Sequence, residues 1–368
     1  MEYDVAILGG GIAGLGVARE LAERGKRVVV LEARQLGQAT SNNTLRIIHG
    51  GFRYLQQCDL PRMIKSLGDQ RDLLQEVPEA LRTLPCLMPL NRFGVKSALP
   101  VGAASLFYGA ALRLLRSSVP APRIISRNET QSRVPFLSGR VPHGALLWYD
   151  VVMERPELIV AYLHDRIQRR AGMLYENAEV TGIVKRGDGW SIATSIGLEV
   201  RSRIVVSTLG PWVNTLSVNG GPTEGFRVFW CKGVNLTVSA PIDAEHAIGI
   251  ESADGRLFFV VPRNAGSAIG TWYQPVDEIS HHPTVSVEET KAYIAEFNQA
   301  IGEDVYQLDH IIASDVGILP MHRVGAKGPE LIGNERYKVK DQFVEVLSTK
   351  YTTFRTQGRK VAKIITRL

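Results

Sequence analysis

Three glycines, Gly9, Gly11 and Gly14, followed by an acid at Glu32, carry the spacing of a dinucleotide site. The chemistry such residues serve is anion and diol binding. Gly9 allows a tight turn, Gly11 lets backbone N–H groups approach a pyrophosphate that a Cβ would exclude, and Gly14 lets a helix pack close to a strand. Glu32 stands where a carboxylate accepts hydrogen bonds from a ribose diol, and its charge disfavours a 2′-phosphate, which argues against NADP. These residues need a strand, a turn, a helix and a second strand in succession. Residues 5–8 are an apolar run, Leu15, Ala18, Leu21 and Ala22 then share one helical face, and residues 28–31 form a second buried run ending at Glu32. The helix N-terminus faces the phosphates with free N–H donors and a partial positive charge.

After Glu32 the third βαβ unit of a nicotinamide dehydrogenase does not follow. A small polar loop, residues 38–44, offers Thr40, Ser41 and Thr44, whose hydroxyls suit a pyrophosphate or a ribityl chain. Then come the apolar pair Ile47-Ile48 and His49-Gly50-Gly51-Phe52-Arg53-Tyr54. The glycine pair lets the backbone lie against a flat ring, or else simply closes an ordinary polar turn.

The chain has 368 residues, 45% of them hydrophobic, enough for one large domain or two intertwined ones. The net charge of +6 suits an anionic substrate, a phosphate-bearing cofactor or an acidic membrane surface, and equally a plain solvated basic surface. Lys and Arg are scattered without a run or motif, so no nucleic-acid partner is expected. The early first strand leaves no room for a secretion signal, and a cytoplasmic location is expected, with peripheral membrane contact as a second expectation. Cys58, Cys86 and Cys231 lack CxxC spacing and read as buried thiols. The histidines show no metal-ligand spacing, and no metal is expected.

Further along, residues 59–84 read as a helical stretch broken near Pro78. Residues 99–118 are apolar and glycine-rich, suited to a lid, an acceptor-channel wall, a membrane-facing element or core. A helix at 156–171, a hairpin turning at Gly187-Asp188-Gly189 and a buried strand ending at Gly210-Pro211 follow. Residues 226–275 alternate as sheet, a roof for a small-molecule site with Trp230, Phe259, Trp272 and Tyr273 as lining or core. After a helix at 287–301, the chain closes with a strand at 343–348, a turn at 349–353 and a basic amphipathic helix, for which Thr352 and Thr353 suit the N-cap.

These motifs together resemble the FAD-dependent glycerol-3-phosphate dehydrogenases, within the wider D-amino-acid-oxidase (DAO) superfamily. The resemblance rests on residues 9–14 (Gly-Gly-Gly-Ile12-Ala13-Gly), residues 47–55, Leu87-Met-Pro-Leu90, Tyr149-Asp150, Gly210-Pro-Trp212, Lys232-Gly233, Phe258-Phe-Val-Val-Pro262 with Ile269-Gly-Thr271, and Lys350-Tyr-Thr-Thr-Phe-Arg355, in the family's order along the whole chain. It implies an α/β fold: a Rossmann-like FAD-binding domain of the GR2/DAO type with an inserted antiparallel-sheet substrate domain. The expected division is 1–80, 150–222 and 315–368 for FAD, and 81–149 with 223–314 for the cap. Two departures stand out. Leu319 in Ile318-Leu-Pro-Met321 occupies the place of an arginine that the family uses for the substrate phosphate. The sequence also ends just after its final helix, before the family's C-terminal helical domain.

The likeness further implies that FAD sits with adenine and ribose at Glu32, Ala33 and Val180, and pyrophosphate at residues 9–14. Its ring then lies between His49-Gly50-Gly51 and the turn from Lys350 to Thr353, with Gly210 and Trp212 as a second wall. His49, Arg53, Tyr54 and Lys350 are the candidates for binding substrate, and His49 for taking a hydroxyl proton. Leu319, His322 and Arg323 join the aromatic residues as pocket candidates, with Arg323, Arg53 or Lys350 as replacements for the missing cation. The expected activity is hydride transfer from an alcohol or amine carbon of a small, anionic metabolite, with dioxygen or a quinone as acceptor. The alternatives are a DAO-type amine or amino-acid oxidase, and a module in which FAD is structural.

Overall fold

The computed structural model describes residues 2–55, 59–251, 257–325 and 328–368; Cys58 and the side chains of Arg53 and Pro222 lie outside that description. Two sheets organise the chain. In the first, Met173–Tyr175, Val28–Leu31, Glu2–Leu8, Glu199–Ser207 and Phe343–Leu347 run parallel in that spatial order. Their apolar runs are buried on both faces, as parallel strands require. The hairpin of Val180–Arg186 and Gly189–Thr194 pairs antiparallel with the first half of Glu199–Ser207 and extends this sheet sideways.

The first helix, Ile12–Glu23, packs on the final helix, Phe354–Ile365, at a glycine crossing. A Cβ on Gly358 would lie 2.5 Å from the Gly16 carbonyl oxygen, so the two backbones touch where any side chain would part them. The helix Leu60–Glu76 completes this layer through ion pairs: Glu76 receives Arg19 and Arg355, and Asp72 receives Arg355 and Arg359. Arg355, the last residue of the Lys350–Arg355 motif, thus ties helices together. A short 3-10 turn at Pro78–Ala80 ends this region, and Leu81–Pro89 is a strand where a helix continuing to residue 84 is expected.

The second sheet is mixed and contains Ile47–Ile48, Leu81–Pro89, Ala145–Met153, Phe229–Val238, Ala247–Glu251, Leu257–Arg263, Gly266–Val276, Ile311–Gly325 and Gly328–Leu331. The helix Val287–Ile301 covers its outer face with a core of its own, including Phe258, Trp272, Tyr293 and Phe297. Ile311–Gly325 pairs along its length with Phe229–Val238. Past the expected boundary at residue 315, the chain thus continues in this sheet, pairing next with Gly328–Leu331. Ile47–Ile48 and the whole of Ala145–Met153 pair within the same sheet. Residues 98–114 form a single helix, Ala98–Leu114.

Candidate cofactor and substrate site

A cavity of about 680 Å³ lies between the two sheets, within the range that buries cofactor-sized ligands. It is lined by Gly9, Gly11, Ile12, Ala13, Glu32, Ala33 and Val180, and by Ser348, Thr349, Lys350 and Tyr351. Thr40, Ser41, Thr44, Gly210 and Trp212 also line it. The glycine turn is built as its spacing requires. Gly9 has φ +96°, and a Cβ there would lie 2.7 Å from the Thr208 carbonyl oxygen. A Cβ on Gly14 would lie 1.9 Å from the Gly9 carbonyl oxygen, so the helix could not close on the strand end with any larger residue.

Glu32 lines the cavity and also fastens the turn. One carboxylate oxygen accepts the Gly10 N–H at 2.6 Å and the other the Arg34 N–H at 2.9 Å, which locks the turn to the end of the second strand. Each oxygen keeps a lone pair for a hydroxyl. Ser41 Oγ accepts the Ile12 N–H at 3.0 Å, holding the polar loop at the helix N-terminus. Thr40 anchors the same loop to the second sheet, accepting the Ile318 N–H at 3.2 Å.

A further part of the lining comes from the second sheet. Trp230, Gly233, Asn235, Thr271, Tyr273, Gly317 and Leu319 line the cavity. Trp272 does not. Strand alternation turns it to the opposite face, where its indole N–H donates to Glu296 at 2.7 Å and its ring stacks on Tyr293. Phe259 lies against His49 and Trp148 beside the cavity. His322 and Arg323 are not pocket residues. A register irregularity between Met321 and Arg323 carries the strand out to solvent, and Arg323 pairs there with Glu330 at 2.9 Å. Arg323 therefore does not replace the missing guanidinium.

His49 is held by a buried acid. Its Nδ1 lies 2.9 Å from Asp150 Oδ2, and Asp150 Oδ1 accepts the Gly50 N–H at 2.8 Å. The Trp148 indole N–H donates to the same carboxylate at 3.2 Å. Asp150 is 2% exposed whereas the His49 side chain is half-exposed, so the acid anchors and the imidazole reaches out. Gly50 and Gly51 are buried in this segment, beside the cavity and outside its lining. Tyr54 and Lys350 meet across the chain: the Lys350 ammonium donates to the Tyr54 hydroxyl at 2.7 Å. Arg53 lies on the short helix Phe52–Leu55, its side chain outside the description. Thr352 and Thr353 lie between Tyr351 and the final helix. Thr353 is its N-cap, but without the expected side-chain hydrogen bond.

Sequence reasoning assigned no role to Asp150, although the Tyr149-Asp150 motif marked its position. It also missed Asn235, a lone amide in a buried apolar strand, which is a legible signal. Asn235 lines the cavity and accepts the Thr271 hydroxyl at 2.8 Å. Arg34 and His281 were missed as well: both line the cavity, the His281 ring stacks on Trp212 at 5.1 Å, and Arg34 donates to the His281 carbonyl at 2.9 Å. Burial takes the Cys231 thiol up to about 12 and raises Cys86 well above its usual range, so both stay protonated.

Comparisons with known proteins show the family and the fold. Residues 4–343 match the model of the DAO family, FAD dependent oxidoreductase. The chain belongs to that family. It is 22% identical, over 99% of its length, to the aerobic glycerol-3-phosphate dehydrogenase of Bacillus subtilis, and covers 66% of that relative. Among solved structures, the FAD complex of glycerol-3-phosphate dehydrogenase from Bacillus halodurans aligns with all of this chain at a TM-score of 0.74 and 17% identity, with 64% of that chain covered. Glycine oxidase from Geobacillus kaustophilus aligns at 0.68 and 19% identity, covering all of this chain and 95% of the other. The chain thus spans just under two thirds of these two glycerol-3-phosphate dehydrogenases, and shares its fold with glycine oxidase.

The cavity fits FAD on its own evidence. The Trp212 indole nitrogen and the Tyr351 hydroxyl are buried without a hydrogen-bond partner among the described residues, and both residues line it. Buried polar atoms of this kind are expected to meet a ligand.

Proposed function

We propose that this chain oxidises a C–H bond at an alcohol or amine carbon of a small metabolite other than glycerol 3-phosphate. When bound, FAD supplies the two-electron acceptor. Glu32, Ser41 and the glycine turn would hold its nucleotide half, and Lys350, Tyr351 and Trp212 would contact the rest. With Nδ1–H donated to Asp150, His49 presents the lone pair of Nε2 and takes the proton of a substrate hydroxyl. Lys350, braced on Tyr54, holds an oxygen or negative charge of the substrate in the cavity.

The observation that carries the choice of substrate is Leu319. It lines the cavity beside Gly233, its Cδ1 2.9 Å from where a Cβ of that residue would stand. A phosphate against this apolar side chain would lose a charge-assisted pair with guanidinium. The test is an anaerobic absorbance titration with glycerol 3-phosphate, 2-hydroxy acids, amino acids and secondary amines, followed by air. Bleaching by an unphosphorylated substrate supports the reading, and bleaching by glycerol 3-phosphate overturns it. Fast recolouring in air identifies dioxygen as the acceptor, and slow recolouring that a quinone accelerates identifies the quinone.

A further inference from the structure

The helix Ala98–Leu114 is apolar on two sides. Its inner face is Val101, Ser105, Tyr108, Gly109 and Leu112, all buried. Its outer face is the stripe Leu99, Ala103, Leu106, Ala110 and Leu114, at the spacing of one helix side and exposed throughout. Leu99 is 88%, Leu106 79% and Leu114 86% exposed. Phe107 on the same helix and Phe93 and Val95 in the preceding loop add to the patch. A helix that is hydrophobic all round belongs inside a protein or against lipid, and this one has protein on one side only.

The charges around it select the occupant. Between Asn91 and Ser118 there is no Asp or Glu, while Arg92 precedes the helix and Arg113 and Arg116 stand at its end. All three arginines are exposed. Lys96, between them, is taken by Glu251 at 2.6 Å. Cations at both ends of an apolar stripe match the layers of a membrane surface, with acyl chains for the leucines and anionic headgroups for the arginines. No helix among the described residues is long and apolar enough to cross a membrane, so the contact would lie in the interface plane.

We propose that the outer face of Ala98–Leu114 docks on an anionic lipid surface. The inference stands apart from the choice of substrate. It also sets an orientation: Tyr108 on the inner face meets Phe52 edge-on at 5.2 Å, so the His49–Phe52 segment lies directly behind the docking helix.

The test is co-sedimentation of the FAD-loaded full chain with vesicles of phosphatidylcholine alone, or of phosphatidylcholine and phosphatidylglycerol in equal parts. Binding is expected to the mixed vesicles, weakened by salt. The double variant Leu106→Glu with Leu114→Glu should lose at least roughly tenfold in partition, with its circular dichroism and flavin absorbance unchanged, since both side chains are exposed. Arg113→Ala with Arg116→Ala should lose the preference for anionic lipid. Absence of binding to the mixed vesicles, or undiminished binding by the leucine variant, overturns the proposal. A dimer in light scattering that the leucine variant dissolves also overturns it, assigning the face to a second copy of the chain.

Discussion

Replacing Asp150 by Asn tests the arrangement at its hinge. The carboxylate accepts hydrogen bonds from the His49 ring, the Gly50 backbone and the Trp148 indole, and is 2% exposed. An amide keeps one acceptor oxygen, which the Gly50 N–H retains. Its NH2 then faces the Trp148 N–H and the His49 ring, where the wild type has an acceptor. Two charge-assisted bonds are lost or inverted, each worth about 1.5–3 kcal/mol, and the protein should be destabilised by about 3 kcal/mol. The larger effect is chemical. An NH2 group donates to Nδ1 and moves the imidazole proton to Nε2, so Nε2 no longer offers the lone pair that the proposed proton transfer needs. Loss of a general base costs about 10²–10⁴ in rate. The assay is anaerobic stopped-flow reduction of bound flavin by whichever substrate bleaches the wild type, with flavin content and thermal unfolding measured alongside. His49→Gln should lose as much, and the double variant no more than either, because the two residues act as one unit. Flavin-loaded Asp150→Asn that is reduced within about threefold of the wild-type rate would refute the reasoning.

Leu319→Arg should introduce response to glycerol 3-phosphate, with binding tightened about tenfold or more by a charge-assisted pair; a titration unchanged from wild type would show that Leu319 does not set the preference. Trp212→Ala should speed FAD dissociation, followed by flavin fluorescence, by roughly three- to tenfold, the worth of a lost ring contact, and His281→Ala should do so less. Equal dissociation rates in all three proteins would remove the stacked pair from cofactor retention. Burial raises the Asp69 carboxyl to about 6, against the Thr356 hydrogen bond and nearby cations. The folded state therefore binds more protons than the unfolded between about pH 4 and 6, and stability falls as pH rises through that window. Asp69→Asn should be more stable relative to wild type at pH 8 than at pH 4 by about 3 kcal/mol, read by denaturant unfolding; a difference independent of pH would contradict it.

What was legible in the sequence was local. The glycine turn, the second strand and Glu32 lie within one supersecondary unit, so spacing alone sets their geometry. The hydroxyl loop follows directly and lines the same cavity. The aromatic residues of the second sheet were legible only as strand residues. Period-two alternation states that Trp272 and Tyr273 face opposite ways but not which of them faces the cavity, because that depends on which layer covers each face. His322 and Arg323 failed for a related reason. Their neighbour Leu319 lies on the cavity, but the ladder slips after Met321, and nothing in the sequence marks the slip. Asp150 and His49 are 101 positions apart and meet because Ile47–Ile48 pairs with Val151 and Val152. A contact made by strand pairing between distant segments has no periodic signature.

On the proposed reading, the division of the site between two sheets lets the glycine turn persist while the lining from the second sheet changes. The glycine turn and Glu32 work through backbone contacts, and any bulk at Gly9 or Gly14 collides with main-chain atoms. Such positions tolerate almost no substitution. The lining from the second sheet is made of side chains projecting from strands whose ladders do not depend on them. Leu319 and Cys231 pair through their backbones whatever residue stands at 319. Exchanging an arginine for a leucine there alters the charge of the cavity without disturbing the sheet that carries it. The two parts are joined by the loop that Thr40 anchors to Ile318 and Ser41 to the first helix. That loop must keep its place for either half of the cavity to close, so substitutions at Thr40 should disturb cofactor and substrate binding together, whereas substitutions at Leu319 should separate them.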